Sequence, residues 1–273
     1  MSAPAVVLVT RPAAEALGWV AELQAQGMQA EALPLIEIAP VADLAPAQAC
    51  WSVIHSYGAL MFVSGNAVEF FFAARPASAG DMLPIGLRFM APGPGTAKRL
   101  LAAGVPAAQI DTPPQQAAQF DSQSLWEVVA RRPWAGQRVL IVRGQSAGQA
   151  AQDSQGDVAA PGRDWLARRL SDSGATVDFV SVYQRRPPTL DAAARDRVSR
   201  ARHDGSIWLF SSSEALAHLV ALPGLASLDW SQALAIATHP RIAQAAREAG
   251  WGVVIESRPA LADIVASIES LFP

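Results

Sequence analysis

Phe62-Val63-Ser64-Gly65-Asn66-Ala67-Val68-Glu69 returns later in the chain as Phe210-Ser211-Ser212-Ser213-Glu214-Ala215-Leu216. In both stretches an unbroken apolar run ends at a hydroxylated turn, and a helix-length segment follows. That is how a buried strand hands over to a helix. Working outward, Met90-Ala91-Pro92-Gly93-Pro94-Gly95-Thr96-Ala97 is echoed by Ile236-Ala237-Thr238-His239-Pro240-Arg241-Ile242-Ala243. Each of these runs into a helical stretch that stops at a glycine, Gly104 in one and Gly250 in the other. The openings correspond as well, since Val7-Leu8-Val9-Thr10-Arg11 resembles Val139-Leu140-Ile141-Val142-Arg143. One α/β unit is therefore written twice, and two like lobes facing each other would make a cleft for a ligand.

Apolar, β-branched runs at 6–10, 60–63, 88–91, 138–142, 207–210, 233–237 and 253–256 predict strands. Their continuous hydrophobicity suits a parallel sheet covered on both faces. Between them, 13–26, 67–74, 96–103, 124–131, 165–173, 213–221, 240–249 and 260–271 predict helices. Gly27, Gly104, Gly174 and Gly250 stand where a left-handed C-cap is needed. Ser64 and Ser211 stand at strand-to-helix junctions as capping hydroxyls. The extended segments 31–40 and 176–188 each run into proline, which suits a strand leaving one lobe for the other. The Gln-, Ala-, Ser- and Gly-rich segment 145–162 predicts a mobile inserted surface loop. The alternative organisation is one long doubly wound sheet.

The 273 residues are 51% hydrophobic and 16% charged, enough to bury one large or two ordinary cores. A net charge of -3 without a basic block argues against nucleic acid as a partner. The single cysteine, Cys50, excludes an intrachain disulfide and a cysteine-based metal cluster. No signal-peptide pattern opens the sequence and no long apolar span interrupts it, so the expectation is a soluble, cytoplasmic protein without a membrane partner.

In open α/β sheets ligands lie beyond the carboxyl ends of the strands, where helix N-termini offer free N–H groups to anions. Those positions here carry Thr10-Arg11, Ser64-Gly65-Asn66, Gly95-Thr96, Arg143-Gly144, Ser211-Ser212-Ser213 and Thr238-His239 with Arg241. Any one serine or threonine is more often just a cap. Six such loops together point to an anion site. Ala91–Thr96 lacks the lysine-plus-hydroxyl end of a P-loop, and no GxGxxG follows the first strand, so nucleotide binding is not expected. His55, His203, His218 and His239 have no ligand spacing, no metal site is expected, and no nucleophile elbow or triad can be read. His218 falls inside a helix as a structural residue, whereas His239 is a candidate ligand contact. Tyr183, one of two tyrosines, lies in an extended segment with Arg185 and Arg186. There it serves either as a proton donor or as a packed aromatic.

The ordered set Val9-Thr10-Arg11-Pro12, Pro34-Leu35-Ile36-Glu37-Ile38, Phe62–Val68, Gly93–Ala97, Leu140–Gly144, Val182–Arg185 and Phe210–Ala215 resembles the uroporphyrinogen-III synthase family. The resemblance implies two flavodoxin-like (HemD-like) doubly wound parallel-sheet lobes joined by a two-stranded β-ladder hinge. It places one lobe at 1–36 plus 187–273, the other at 41–176, and crossing strands at 37–40 and 177–186. It implies cyclisation of hydroxymethylbilane to uroporphyrinogen III with loss of water and inversion of the last ring. That is lyase chemistry without metal or cofactor, on a linear tetrapyrrole polycarboxylate. It also implies a monomer, with transient hand-over from hydroxymethylbilane synthase. Tyr183 takes the place of the tyrosine proposed to help expel the substrate hydroxyl. Thr96, Ser64 and Ser211 fall on hydroxyl positions facing the family's cleft. Ile242 departs, standing where some members carry a second threonine. The competing readings are a two-lobed binder of small anions without catalysis and a Rossmann-type transferase.

Overall fold

The computed structural model describes every residue except 1–4, 81, 115, 118–119, 147–160, 225–227 and 272–273. The chain opens with β1 (Val6–Val9), α1 (Ala13–Ala25), β2 (Gln29–Ala32), β3 (Glu37–Pro40) and α2 (Ala45–Ser52). It continues through β4 (Ala59–Phe62), α3 (Gly65–Ala73), β5 (Arg88–Met90), α4 (Pro94–Ala102), β6 (Ile110–Asp111) and α5 (Ser122–Val129). β7 (Arg138–Ser146), α6 (Pro161–Asp172) and β8 (Thr176–Arg186) follow. It closes with α7 (Ala192–Arg200), β9 (Ile207–Phe210), α8 (Ser213–Ala221), β10 (Leu234–Ala237), α9 (Pro240–Glu248), β11 (Val253–Glu256) and α10 (Leu261–Glu269). Contacts divide the chain into two compact units, one of Met1–Ile38 with Arg186–Pro273 and one of Ala39–Arg185.

The first unit holds a five-stranded sheet in the order β11-β10-β9-β1-β2, parallel at every pairing. Counted along the chain from β2, this is the flavodoxin order 2-1-3-4-5. The second holds a six-stranded sheet in the order β3-β8-β7-β4-β5-β6. Leaving β3 aside, β8-β7-β4-β5-β6 is the same arrangement cyclically permuted, with β7 and β8 supplied after β4, β5 and β6. The repeat therefore maps β1 on β7, β9 on β4 and β10 on β5. Two separate sheets form, so the alternative of one long sheet is not realised.

The central strands β4 and β9 are buried at all four positions, as strands covered on both faces must be. In the first unit one face of the sheet is packed by Trp208, Phe210, Trp230 and Trp251, with the last two rings stacked 4.3 Å apart. The other face buries Val7, Val9, Ile207 and Leu209 under Leu23, Ile264 and Ile268. In the second unit Trp51, Phe62, Phe71 and Phe89 form an aromatic cluster, and Met61 and Ile141 pack with Leu125 and Leu166. Each such side chain contributes about 1.5–3 kcal/mol of burial.

Gly27, Gly104, Gly174 and Gly250 adopt the positive φ that ends their helices. Two helices are not foreshadowed by periodicity. α7 (AAARDRVSR) buries only Val198, and α2 (APAQACWS) has proline in its first turn and buries only Ala47 and Trp51. The loop expected at 145–162 lies largely outside the described residues. Its described ends are structured, since Gln145 and Ser146 complete β7 and Pro161 begins α6.

The units differ in strand length. β1 and β2 have 4 residues each, whereas β7 has 9 and β8 has 11. The extra length of β7 and β8 continues their pairing to Ser146 and Arg185, with a register shift after Arg143.

Candidate functional site

Strand order reverses between β7 and β4 in the second unit and between β1 and β9 in the first. Beyond the carboxyl ends of such neighbours a doubly wound sheet leaves its ligand crevice.

At the reversal in the second unit, Ser64 caps α3, its Oγ accepting the Ala67 N–H at 3.2 Å. The same Oγ lies 3.1 Å from the hydroxyl of Tyr183. Tyr183 gets there through the irregularity in β8. Arg143 pairs with Ser181 but Gly144 pairs with Tyr183, so Val182 is an extra residue in the ladder. A bulge of this kind re-aims the side chain that follows it. The Tyr183 ring then lies over Gly144, where a Cβ would collide with its Cε2 and Cζ. Phe70 stacks on the ring at 5.9 Å between centroids. Tyr183 is 3% exposed, so a ligand can reach it only along a narrow front. Arg143 is half-buried with its guanidinium 4.9 Å over the ring of Phe179. Gly65 and Asn66 are half-buried in the first turn of α3.

The next helix start, at α4, is capped by Gly93, which has no side chain to give, and Pro94 follows it. The N–H groups of Gly95 and Thr96 consequently have no partner among the described residues, which leaves an N-terminus suited to an anion. Gly95 is exposed and Thr96 is 7% exposed.

In the first unit the corresponding positions are occupied differently. Thr10 is 1% exposed and its hydroxyl donates to the Leu209 carbonyl at 2.7 Å, closing β1 onto β9 where they diverge. Arg11 lies over Trp19 at 4.8 Å and pairs with Glu15 at 3.5 Å. Burial lowers the pKa of its guanidinium, opposed by Glu15 and Glu22, and its Nε is buried without a partner among the described residues.

The expected cap at Ser211 is corrected by one residue. Ser212 caps α8, accepting the Glu214 N–H at 3.1 Å, because Phe210 ends β9 as Phe62 ends β4 and the caps fall two residues later in both. Ser211 corresponds to Val63, and its Oγ is buried with no hydrogen-bond partner among the described residues. Ser213 is exposed at the first position of α8. Thr238 is half-buried and its N–H goes to the Phe210 carbonyl at 3.1 Å. His239 caps α9, its Nδ1 accepting the Arg241 N–H at 3.1 Å, so it matches Gly93 as Pro240 matches Pro94. That bond fixes the tautomer with the proton on Nε2. Ile242 is buried at the position equivalent to Thr96. His218 is structural, Nδ1 lying 2.9 Å from the Leu35 carbonyl.

Neither described surface pocket contains these residues. One of about 620 Å³ beside α5 carries Asp121 and Glu127 and no basic group, which suits no polycarboxylate. Another of about 200 Å³ is lined by Arg88 and Arg132 at the opposite strand ends. Both arginines there are held by buried Asp111, at 2.6 and 2.5 Å. Among the described residues no three His, Cys, Asp or Glu side chains group as a metal site, and no helix is long and apolar enough to cross a membrane. Phe70 and the Ser64–Tyr183 contact are not legible in the sequence. Phe70 is hidden in the run Phe70-Phe71-Phe72, and the contact joins residues 119 positions apart.

The family model described as uroporphyrinogen-III synthase HemD matches residues 18–266. Uroporphyrinogen-III synthase of Synechococcus elongatus is 31% identical over 186 residues, 67% of this chain and 61% of that protein, so the match spans less than two thirds of that relative. The Salmonella typhimurium enzyme of the same name is 27% identical over 247 residues, 90% of this chain and 92% of that protein. The crystal structure of uroporphyrinogen-III synthetase from Helicobacter pylori superposes with a TM-score of 0.57 at 15% identity, covering 98% of this chain and all of that one, a likeness of fold. With one family's pattern running through nearly all of the sequence, and the doubly wound sheets to match, the chain belongs to the uroporphyrinogen-III synthase family.

Proposed function

We propose that this protein is a lyase that closes hydroxymethylbilane into uroporphyrinogen III. The family match over 18–266 carries this reading. It is supported by Tyr183 held at the strand reversal of the second unit, in the same unit as the open N–H groups at the start of α4.

In this reading Tyr183 gives its proton to the terminal hydroxyl as the C–O bond breaks, and water leaves. The pyrrole nitrogen supplies the electron pair, giving an electrophilic azafulvene. The substituted carbon of the last ring attacks it to form a spiro intermediate, which fragments and recloses with that ring inverted. The proton released as the ring regains aromaticity restores the phenol. In the second unit the donors for substrate carboxylates are the free N–H groups of Gly95 and Thr96, the first turn of α3 and Arg143; in the first unit Arg11, Ser211, Ser213, Thr238 and His239 are the candidates for the same role. Holding a flexible chain in one reactive geometry is the larger contribution, since the bilane closes without inversion unaided. The protein acts as a cytoplasmic monomer, needs no metal or cofactor, and receives its substrate by transient hand-over from hydroxymethylbilane synthase.

Product analysis tests the proposal. Purified protein given hydroxymethylbilane yields the III isomer; the I isomer alone refutes the assignment, and tight retention of the bilane without turnover makes the protein a binder.

A further inference from the structure

We infer that Ser64 is a positioning residue for Tyr183: its hydroxyl donates to the phenol oxygen, leaving the phenol's own proton free for the substrate. The inference rests on the proton-donor reading of Tyr183 given above.

A serine hydroxyl has one proton and two lone pairs. The Ala67 N–H occupies one lone pair of Ser64, and the remaining contact is to Tyr183 Oη at 3.1 Å. Two arrangements fit that distance. If the phenol donates, its proton is held by Ser64 and is lost to chemistry. If Ser64 donates, the phenol oxygen is the acceptor and its proton is directed elsewhere.

The surroundings favour the second arrangement. Accepting a backbone N–H polarises the Ser64 O–H and makes it the better donor. Ser64 also stands at the N-terminus of α3, a nine-residue helix whose positive end stabilises negative charge on the phenol oxygen. As the proton leaves Tyr183, the bond from Ser64 becomes charge-assisted and strengthens, so its effect is greatest during the transfer. Gly144 beneath the ring and Phe70 against it hold the ring in place, so Oη remains within reach of Ser64. The equivalent cap in the first unit, Ser212, has its bond from Glu214 and no tyrosine.

The test uses the full chain with hydroxymethylbilane, steady-state kinetics and thermal unfolding. Ser64→Ala lowers kcat on the order of ten- to hundredfold with little change in KM, within the range of general acid effects. Ser64→Thr, which keeps the hydroxyl, restores most of it. Ser64→Asp keeps a capping oxygen but has no proton to give, so it retains the melting temperature and still loses turnover. In the Tyr183→Phe background, Ser64→Ala costs nothing further. Full turnover in Ser64→Asp, or the same fold-loss with and without the phenol, overturns the inference while leaving Tyr183 as donor. Undiminished turnover in Tyr183→Phe overturns the donor reading and this inference with it. A wild-type protein that makes only the I isomer fails earlier, at the assignment itself.

Discussion

At the strand reversal of the second unit, Ser64 caps α3 and meets a tyrosine delivered by β8; at that of the first, Ser212 caps α8 and the neighbouring Thr10 is tied to the Leu209 carbonyl. The local device is the same, a strand ending on an aromatic residue with a capping serine two residues later. What differs is the pair of strands beside it. β1 and β2 stop after four residues, and the buried Thr10 hydroxyl ties the end of β1 to the Leu209 carbonyl of β9. β7 and β8 run on, and the bulge at Val182 turns Tyr183 over Gly144. The scaffold is common to the two units, and the longer strands bring a phenol to the capping serine in one of them.

Substitutions at matched positions should affect the two units differently. The largest effect is expected from Gly144→Ala. Its methyl group meets the Tyr183 ring, costing about 1–3 kcal/mol if the ring stays and its position if it moves. We expect kcat to fall on the order of a hundredfold, the penalty for a displaced reacting group. Wild-type kinetics in this variant would remove Gly144 as the seat of the tyrosine. Thr10→Val comes next. Losing the bond to Leu209 costs about 1 kcal/mol, or about 2–4 °C in melting temperature, and a change in kcat larger than that in stability would contradict its role as a latch. Ser212→Ala removes a cap worth about 1 kcal/mol, as Ser64→Ala does. The two should match in calorimetry and part in turnover, with kcat falling far less for Ser212→Ala. Equal kcat losses would erase the asymmetry. The smallest change, of opposite sign, is predicted for Ser211→Ala. Its hydroxyl is buried without a hydrogen-bond partner among the described residues, so removing it leaves stability unchanged or raises it by at most about 1 kcal/mol, while KM rises with the loss of the proposed substrate contact.

How far the sequence carries the reading depends on the range of the interactions concerned. Buried parallel strands announce themselves through runs such as Ile207–Phe210, and the helix ends through Gly104 and Gly250, because both signals are local. α7 is silent because its helix buries a single residue, Val198, and offers no periodicity to find. The capping serine of α8 cannot be singled out in the sequence because Ser211, Ser212 and Ser213 are chemically alike, and only the end of β9 decides among them. Gly144 reads as one of a row of small loop residues; its need for a bare Cα arises from a ring 39 positions away, across a bulge that no composition predicts. The Arg88–Asp111–Arg132 cluster escapes for a similar reason, being assembled from three separate segments.

A crystal structure with uroporphyrinogen III bound would decide whether the chemistry belongs to the strand reversal of the second unit. The inverted ring, or the bridge carbon beside it, is expected next to Tyr183 Oη, with Ser64 still on the far side of that oxygen. A product bound with its inverted ring remote from Tyr183, and the phenol still sealed between Phe70 and Gly144, would contradict it.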